Sequence, residues 1–254
     1  MAIEKVAVVT GAGRRVGNVV ARMLAGAGYA VVVHYHRSAE EAERTVAELA
    51  AQGRMAVAMQ ADVADEDRVE GLFQRTLERF GRLDALVTAA AIWEPRPLEE
   101  VTAEDVRRHF EVNALGTFLC CRRAGLIMAG QPDGGAIVTI GDWATARPYP
   151  DYAAYFPSKG AIPTLTRSLA VELARRNPAV RVNCILPGPV MLPERMSKGE
   201  RKGVAASTLV GRLGRPEDVG HAVLFLLENP FVTGVCLPVD GGRTIAARRD
   251  PLRG

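Results

Sequence analysis

Seven short runs rich in β-branched residues, at 6–10, 30–35, 55–59, 83–88, 136–140, 180–185 and 235–239, alternate with longer segments of helical period. Strand, helix, strand in succession implies parallel pairing through right-handed crossovers, and runs that are apolar throughout imply a sheet covered on both faces. The expected fold class is α/β, a doubly wound sandwich of a seven-stranded parallel sheet with helices on both faces. The helical signal is clearest at 65–80, where Val69, Leu72, Phe73, Leu77 and Phe80 share one face and Gly81 follows as a stop. A second helix is expected to open at Thr102, with Asp105 three residues on. No Pro/Gly/Ser linker divides the 254 residues, so one domain spanning 1–254 is expected, with an irregular insertion at about 188–213.

Composition removes several function classes. Thirty-two Lys and Arg against 29 Asp and Glu give a net charge of +3, with the signs mixed along the chain. The absence of a polybasic arm argues against nucleic acid or membrane partners and leaves a small molecule as the expected one. The densest positive clusters are Arg14-Arg15 and the tail pair Arg248-Arg249, the latter read as a solvated end. Cys120, Cys121, Cys184 and Cys236 offer no CxxC pattern and no His at ligand spacing, so reduced buried thiols and no metal site are expected. The first apolar run is too short for a signal peptide and no later segment reaches membrane-spanning length; a cytoplasmic location is expected.

The first run ends in TGAGRRVG, residues 10–17, and passes directly into an Ala-rich helix. Free backbone N–H groups and the positive end of the helix dipole then face the loop, which suits a pyrophosphate. Gly11, Gly13 and Gly17 permit a tight turn and close backbone approach, but their spacing is not the common G-x-G-x-x-G, and a plain glycine-rich turn competes for this loop alone. Folds that take NAD place a carboxylate at the end of the second strand. Here that place holds His36-Arg37-Ser38, with no acid before Glu40. A guanidinium and a hydroxyl suit a ribose 2′-phosphate, so the expected cofactor is NADPH/NADP.

After the fifth run come Asp142, Tyr155 and Lys159, the last two placed four apart on one helix face. A phenol is a poor acid at neutral pH, and a nearby ammonium is expected to lower its pKa. Tyr155 then donates a proton to a carbonyl or imine as hydride arrives, and Lys159 also holds the nicotinamide ribose. A Y-x-x-x-K pair by itself is more often a solvated helix face. Its weight comes from the loop and strand order around it.

Taken in order, TGAGRRVG, Asp62-Val63, Asn113, Tyr155 with Lys159, Pro187-Gly188-Pro189-Val190 and Val239-Asp240-Gly241-Gly242 resemble the short-chain dehydrogenase/reductase family over essentially the whole chain. The resemblance implies a Rossmann-type fold and a homotetramer joined through long helices at about 102–128 and 153–177. It places Gly11, Arg14, Arg15, Val16 and Gly17 at the cofactor phosphates and Asp62 and Val63 at the adenine. Asn113 then orders the water of the proton relay, and Pro187, Gly188 and Val190 lie beside the carboxamide.

Within that family three departures narrow the choice. Arg15 stands where the loop's middle glycine is usual, Asp142 where the catalytic serine is usual, and the second strand ends HYHRS. Together these are similar to the pteridine reductase branch, where the matching arginine meets phosphate and substrate and the matching aspartate meets the pterin. Trp93 falls where that branch stacks an aromatic on the substrate, and packing is its competing role. The implied substrate contacts are Arg15, Trp93, Asp142 and Tyr155. An ionised aspartate only accepts hydrogen bonds, which favours a substrate presenting N–H donors. Thr88-Ala89-Ala90-Ala91 replaces the family's Asn-Asn-Ala-Gly, leaving Ala90 as the cofactor position of that stretch. The expected activity is NADPH-dependent hydride transfer to a C=N or C=O bond of a pterin-like or other small heterocycle. The alternatives are a general carbonyl or 3-oxoacyl-carrier-protein reductase and a non-catalytic NADPH-binding protein. Residues 191–210 are expected to form a substrate lid.

Overall fold

A computed structural model describes residues 5–246, and in it the seven apolar runs pair into one sheet. The tail pair Arg248-Arg249 lies outside these residues. The strands are β1 (Lys5–Thr10), β2 (Tyr29–Tyr35), β3 (Ala56–Gln60), β4 (Ala85–Thr88), β5 (Gly135–Ile140), β6 (Val180–Pro187) and β7 (Cys236–Val239). They lie in the order β3-β2-β1-β4-β5-β6-β7 with every neighbouring pair parallel. The helices between them are α1 (Arg15–Gly26), α2 (Ala39–Ala51), α3 (Glu66–Phe80), α4 (Ala103–His109), α5 (Gly116–Ala129), α6 (Tyr155–Ala174), α7 (Lys198–Ala206) and α8 (Pro216–Glu228).

The two-residue period of a strand explains why both faces are apolar. Val6 and Val8 of β1 join a core layer with Leu72 and Phe73 of α3, Leu119 of α5 and Leu169 of α6. Ala7 and Val9 join the opposite layer with Leu24 of α1, Leu49 of α2 and Val223 of α8. Each large side chain fully buried this way contributes about 1.5–3 kcal/mol. Helix ends follow the local chemistry. Asp65 accepts from the Arg68 amide at 3.1 Å to open α3, and Gly81 closes it in the left-handed region at φ 75°. Thr102 and Asp105 form a reciprocal capping box at α4.

Two features depart from the sequence reading. The long helix expected from Thr102 is divided by a π-helical turn, Phe110–Leu115, between α4 and α5, which carries Asn113. The insertion at 188–213 is not wholly irregular, since it contains α7, opened by a capping box between Ser197 and Glu200. That helix buries none of its residues. Of the cysteines, Cys120, Cys121 and Cys184 are buried as expected, while Cys236 is only half-buried, beside Cys184 in the β6–β7 register. Among the described residues no helix is long and apolar enough to cross a membrane.

Candidate active site

Strand order reverses between β1 and β4, and a crevice opens beyond the C-terminal ends of such strands. The predicted loop lies there. Thr10 Oγ1, at the end of β1, accepts from the Ala90 amide at 3.2 Å. Gly11 adopts φ 64°, and a Cβ on it would sit 2.7 Å from the Cα of Ala90. A Cβ on Gly13 would overlap the Ser38 hydroxyl, and one on Gly17 would lie 2.5 Å from the Gly11 carbonyl oxygen. Glycine is therefore required on both sides of the loop by close approach.

Arg14 is the extended N-cap of α1. No side chain caps this helix and no acid stands in its first turn, so its leading amides, through Val16, are free for an anion. Arg15, at the position where the family has glycine, takes the left-handed φ of 57° that glycine would supply. Its guanidinium reaches toward the Met191 carbonyl at 3.4 Å and lines a cleft of about 710 Å³ with Pro189, Val190, Arg195 and Leu213.

At the end of β2, His36 and Arg37 are exposed and Ser38 packs on Gly13. His36 Nε2 is 3.7 Å from Asp62 Oδ2, an ion pair when the imidazole is protonated. Val63 packs against Gly116, where a Cβ would come within 2.8 Å of its side chain. Across the crevice, Gly188 follows Pro187 and lies against the Asp240 backbone with no room for a Cβ, and the Val190 amide donates to the Gly188 carbonyl at 2.8 Å. Free helix-end amides, unobstructed glycines and basic side chains make these residues a fit for a dinucleotide diphosphate.

Asp142 and Tyr155 meet directly. The Tyr155 hydroxyl donates to Asp142 Oδ2 at 2.7 Å, and Asp142 Oδ1 accepts from the Ala144 amide at 2.8 Å. Burial, together with the charge and hydrogen bond of Asp142, holds the Tyr155 phenol well above its ordinary value. This corrects the expectation that Lys159 lowers it. The Lys159 ammonium is buried and donates to the Ile140 carbonyl at 2.7 Å, and that burial lowers its own pKa. Tyr155 is thus held as a protonated acid.

Asn113 is fully buried by the π-helical turn. Its side chain accepts from the Ile92 amide at 2.8 Å and donates to the Ile92 carbonyl and Ser158 Oγ, each at 3.0 Å. The amide therefore fastens the β4 loop to α6, and its side chain points at no open space. Trp93, on that loop, stacks on Tyr152 with centroids 4.9 Å apart and planes within 11°. Trp93 therefore packs on Tyr152 while its ring stays partly exposed. Tyr152 and Phe156 meet Tyr155 edge-to-face, Tyr149 sits edge-on to both of them, and His109 sets its ring edge against Tyr155 at 6.3 Å.

Several residues escaped the sequence reading. His34 of β2 accepts from the Gly11 amide and reaches the Ala61 carbonyl. Its signal was a lone polar residue in an otherwise apolar strand. Ser158, one residue before Lys159, and the Tyr149-Tyr152 pair carry no spacing pattern of their own.

A family model described as enoyl-(acyl carrier protein) reductase matches residues 11–244. A 3-oxoacyl-[acyl-carrier-protein] reductase of Synechocystis is 35% identical over 241 residues, covering 94% of this chain and 96% of the relative. The carbonyl reductase family member 4 of Xenopus tropicalis is 36% identical over 241 residues, covering 94% and 98%. A solved structure from Sinorhizobium meliloti 1021, named for a short-chain alcohol dehydrogenase, superposes with a TM-score of 0.88 at 32% identity and covers 96% of this chain and 98% of that one.

Proposed function

The chain belongs to the short-chain dehydrogenase/reductase family, whose oxidoreductases use nicotinamide cofactors, and from that premise we propose that it is an NADPH-dependent reductase of a C=N or C=O bond in a flat, pterin-like heterocycle. The observation that carries this reading is the Asp142 carboxylate held 2.7 Å from the Tyr155 hydroxyl. Each of its oxygens already accepts one hydrogen bond and keeps a lone pair for a substrate N–H, which an amino-substituted ring presents and a simple ketone does not.

When bound, the cofactor supplies hydride. Gly11, Gly13, Arg14, Arg15, Val16 and Gly17 hold its diphosphate, His36, Arg37 and Ser38 its 2′-phosphate, Asp62 and Val63 the adenine, and Ala90, Pro187, Gly188 and Val190 the nicotinamide end. Tyr155 passes its Oη proton to the substrate nitrogen or oxygen as the neighbouring carbon is reduced, and Lys159 and Asn113 keep that machinery in place. Asp142 orients the ring, with Trp93 and Tyr152 as an aromatic wall and Arg15 at the rim. The Arg37 cluster and the lack of an acid at the end of β2 support NADPH over NADH.

A general carbonyl or 3-oxoacyl-carrier-protein reductase is the second reading, favoured by the names of the two relatives. NADPH consumption with pterins, quinones, ketones and imines separates the two. Activity confined to ketones or acyl thioesters would overturn the heterocycle. Tyr155→Phe is expected to abolish turnover on any of them while NADPH binding persists; full activity in that variant would sink the mechanism. The small-molecule enzyme is proposed to work in the cytoplasm as a homotetramer. Exposed Leu115 of the π-helical turn, Phe118 and Leu126 of α5 and Val171 of α6 supply an apolar face for assembly. A light-scattering mass of four protomers is expected, and one near a single protomer would refute it.

A further inference from the structure

We propose that His34, in the middle of the sheet and outside the catalytic group, is the residue that sets the shape of the phosphate loop and thereby the affinity for the dinucleotide. The inference rests on the nicotinamide-dinucleotide reading of that loop and concerns a side chain that does not itself reach the crevice.

The imidazole is 1% exposed and bridges two chain segments. Gly11 N–H donates to its Nδ1 at 3.1 Å, and its Nε2 lies 3.2 Å from the Ala61 carbonyl oxygen. Because a carbonyl only accepts and an amide N–H only donates, the two contacts fix one tautomer: the proton sits on Nε2 and Nδ1 is the acceptor. Burial, which drives the imidazole to about 4, keeps it neutral, so that Nδ1 retains the lone pair Gly11 needs.

What the imidazole holds is the hinge of the loop. The Gly11 peptide is confined at both ends, its N–H by His34 and its carbonyl by the close packing of Gly17 at the start of α1. The next amide, Ala12 N–H, donates to the main-chain carbonyl of His34 at 2.8 Å. Two successive loop amides are thus turned inward onto one residue of β2, which leaves the amides that follow, at the mouth of α1, to face a phosphate. On its other side His34 holds Ala61, the residue before Asp62 and Val63. Two residues on, just past the end of β2, the chain reaches His36, Arg37 and Ser38. One buried ring therefore fixes the phosphate loop relative to both the adenine wall and the 2′-phosphate cluster.

Two substitutions divide its contacts. In His34→Asn the side-chain oxygen falls near the place of Nδ1 and keeps the acceptor for Gly11 while giving up Ala61. In His34→Gln the side-chain amide falls near the place of Nε2 and keeps the donor to Ala61 while leaving Gly11 N–H without a partner. A purely structural histidine would make the two variants alike in binding. The positioning role predicts that they part company: a Kd for NADP⁺ near the wild-type value in His34→Asn and about tenfold weaker in His34→Gln, from the unsatisfied buried N–H.

The experiment is calorimetric titration of NADP⁺ and NAD⁺ into wild-type protein and both variants, with thermal unfolding of each as the control for stability. Equal Kd values for the two variants would overturn the inference. Failure of the wild-type protein to bind either dinucleotide would instead overturn the cofactor reading and the inference with it. Should His34→Gln fail to fold, ¹⁵N imidazole NMR of the wild-type protein decides without any substitution. A protonated Nε2 and an unprotonated, hydrogen-bonded Nδ1 are expected, and the opposite tautomer refutes the geometry.

Discussion

Acid should weaken this fold through His34 before it reaches most of the carboxylates. The folded imidazole titrates at about 4 against an ordinary 6.5, because burial outweighs the Ala61 carbonyl and the Asp62 carboxylate, which favour the proton, while His36 and Arg75 oppose it. Between those two values the unfolded chain binds the proton and the folded one refuses it. Stability from this group is therefore complete above pH 6.5 and is lost as the pH falls toward 4. Linkage over that interval gives a loss of about 2.5 kcal/mol between pH 7.5 and pH 4.5. Against a typical total of about 5–15 kcal/mol this is a large fraction.

The assay is urea unfolding at one protein concentration, without dinucleotide, in steps across that range, on wild-type protein and His34→Asn. The variant begins less stable because it lacks the Ala61 contact, but it has nothing to titrate. The gap between the two should narrow by about 2.5 kcal/mol as the pH falls. Carboxylates such as Asp105, held below its ordinary value by the hydroxyl and amide of Thr102, lose their contributions equally in both proteins and cancel. A gap that stays constant from pH 7.5 to pH 4.5 would show that the imidazole is not the neutral, enclosed group described above.

Arg37→Asp should weaken NADPH binding about 10- to 100-fold, the loss of a charge-assisted contact with the 2′-phosphate, and leave NADH nearly unaffected; equal losses in paired titrations would refute the assignment. Asp142→Asn removes the charge that helps hold the Tyr155 phenol up, so the alkaline limb of the pH–rate profile for reduction should move to lower pH. An unmoved limb would mean that another group is the acid.

The strands were legible because a parallel sheet buried on both faces leaves continuous apolar runs, but their ends were set by contacts that no run reveals. Leu83 reads as strand, yet its amide and carbonyl are taken by the side chain of Gln131 before the ladder begins at Ala85. The helix α7 was hidden because none of its residues is buried and so no apolar stripe marks it; only its capping pair, Ser197 and Glu200, was there to be read. At the site, spacing was enough to bring Asp142, Tyr155 and Lys159 together. It was not enough to give the sign of the phenol's shift, which is set first by burial and then by the Asp142 carboxylate 2.7 Å from the hydroxyl. Trp93 shows the same limit, since its partner Tyr152 lies far along the chain and nothing local announces a stacked pair. Arg15 was legible as a departure, but its left-handed backbone belongs to the turn itself.

The shallow seating of α7 also governs how the protein would be dismantled. A helix with no buried residue loses little when it unravels, so Lys198, Arg201 and Lys202 should be the first bonds open to a trypsin-like protease while the sheet stays closed. A cut there would leave α8 and β7 on a separate fragment that remains clamped to the larger one through the β6–β7 ladder and the α8 face of the core. The nicked protein would run as two pieces under denaturing conditions and as one body in its native state, with its sheet still closed.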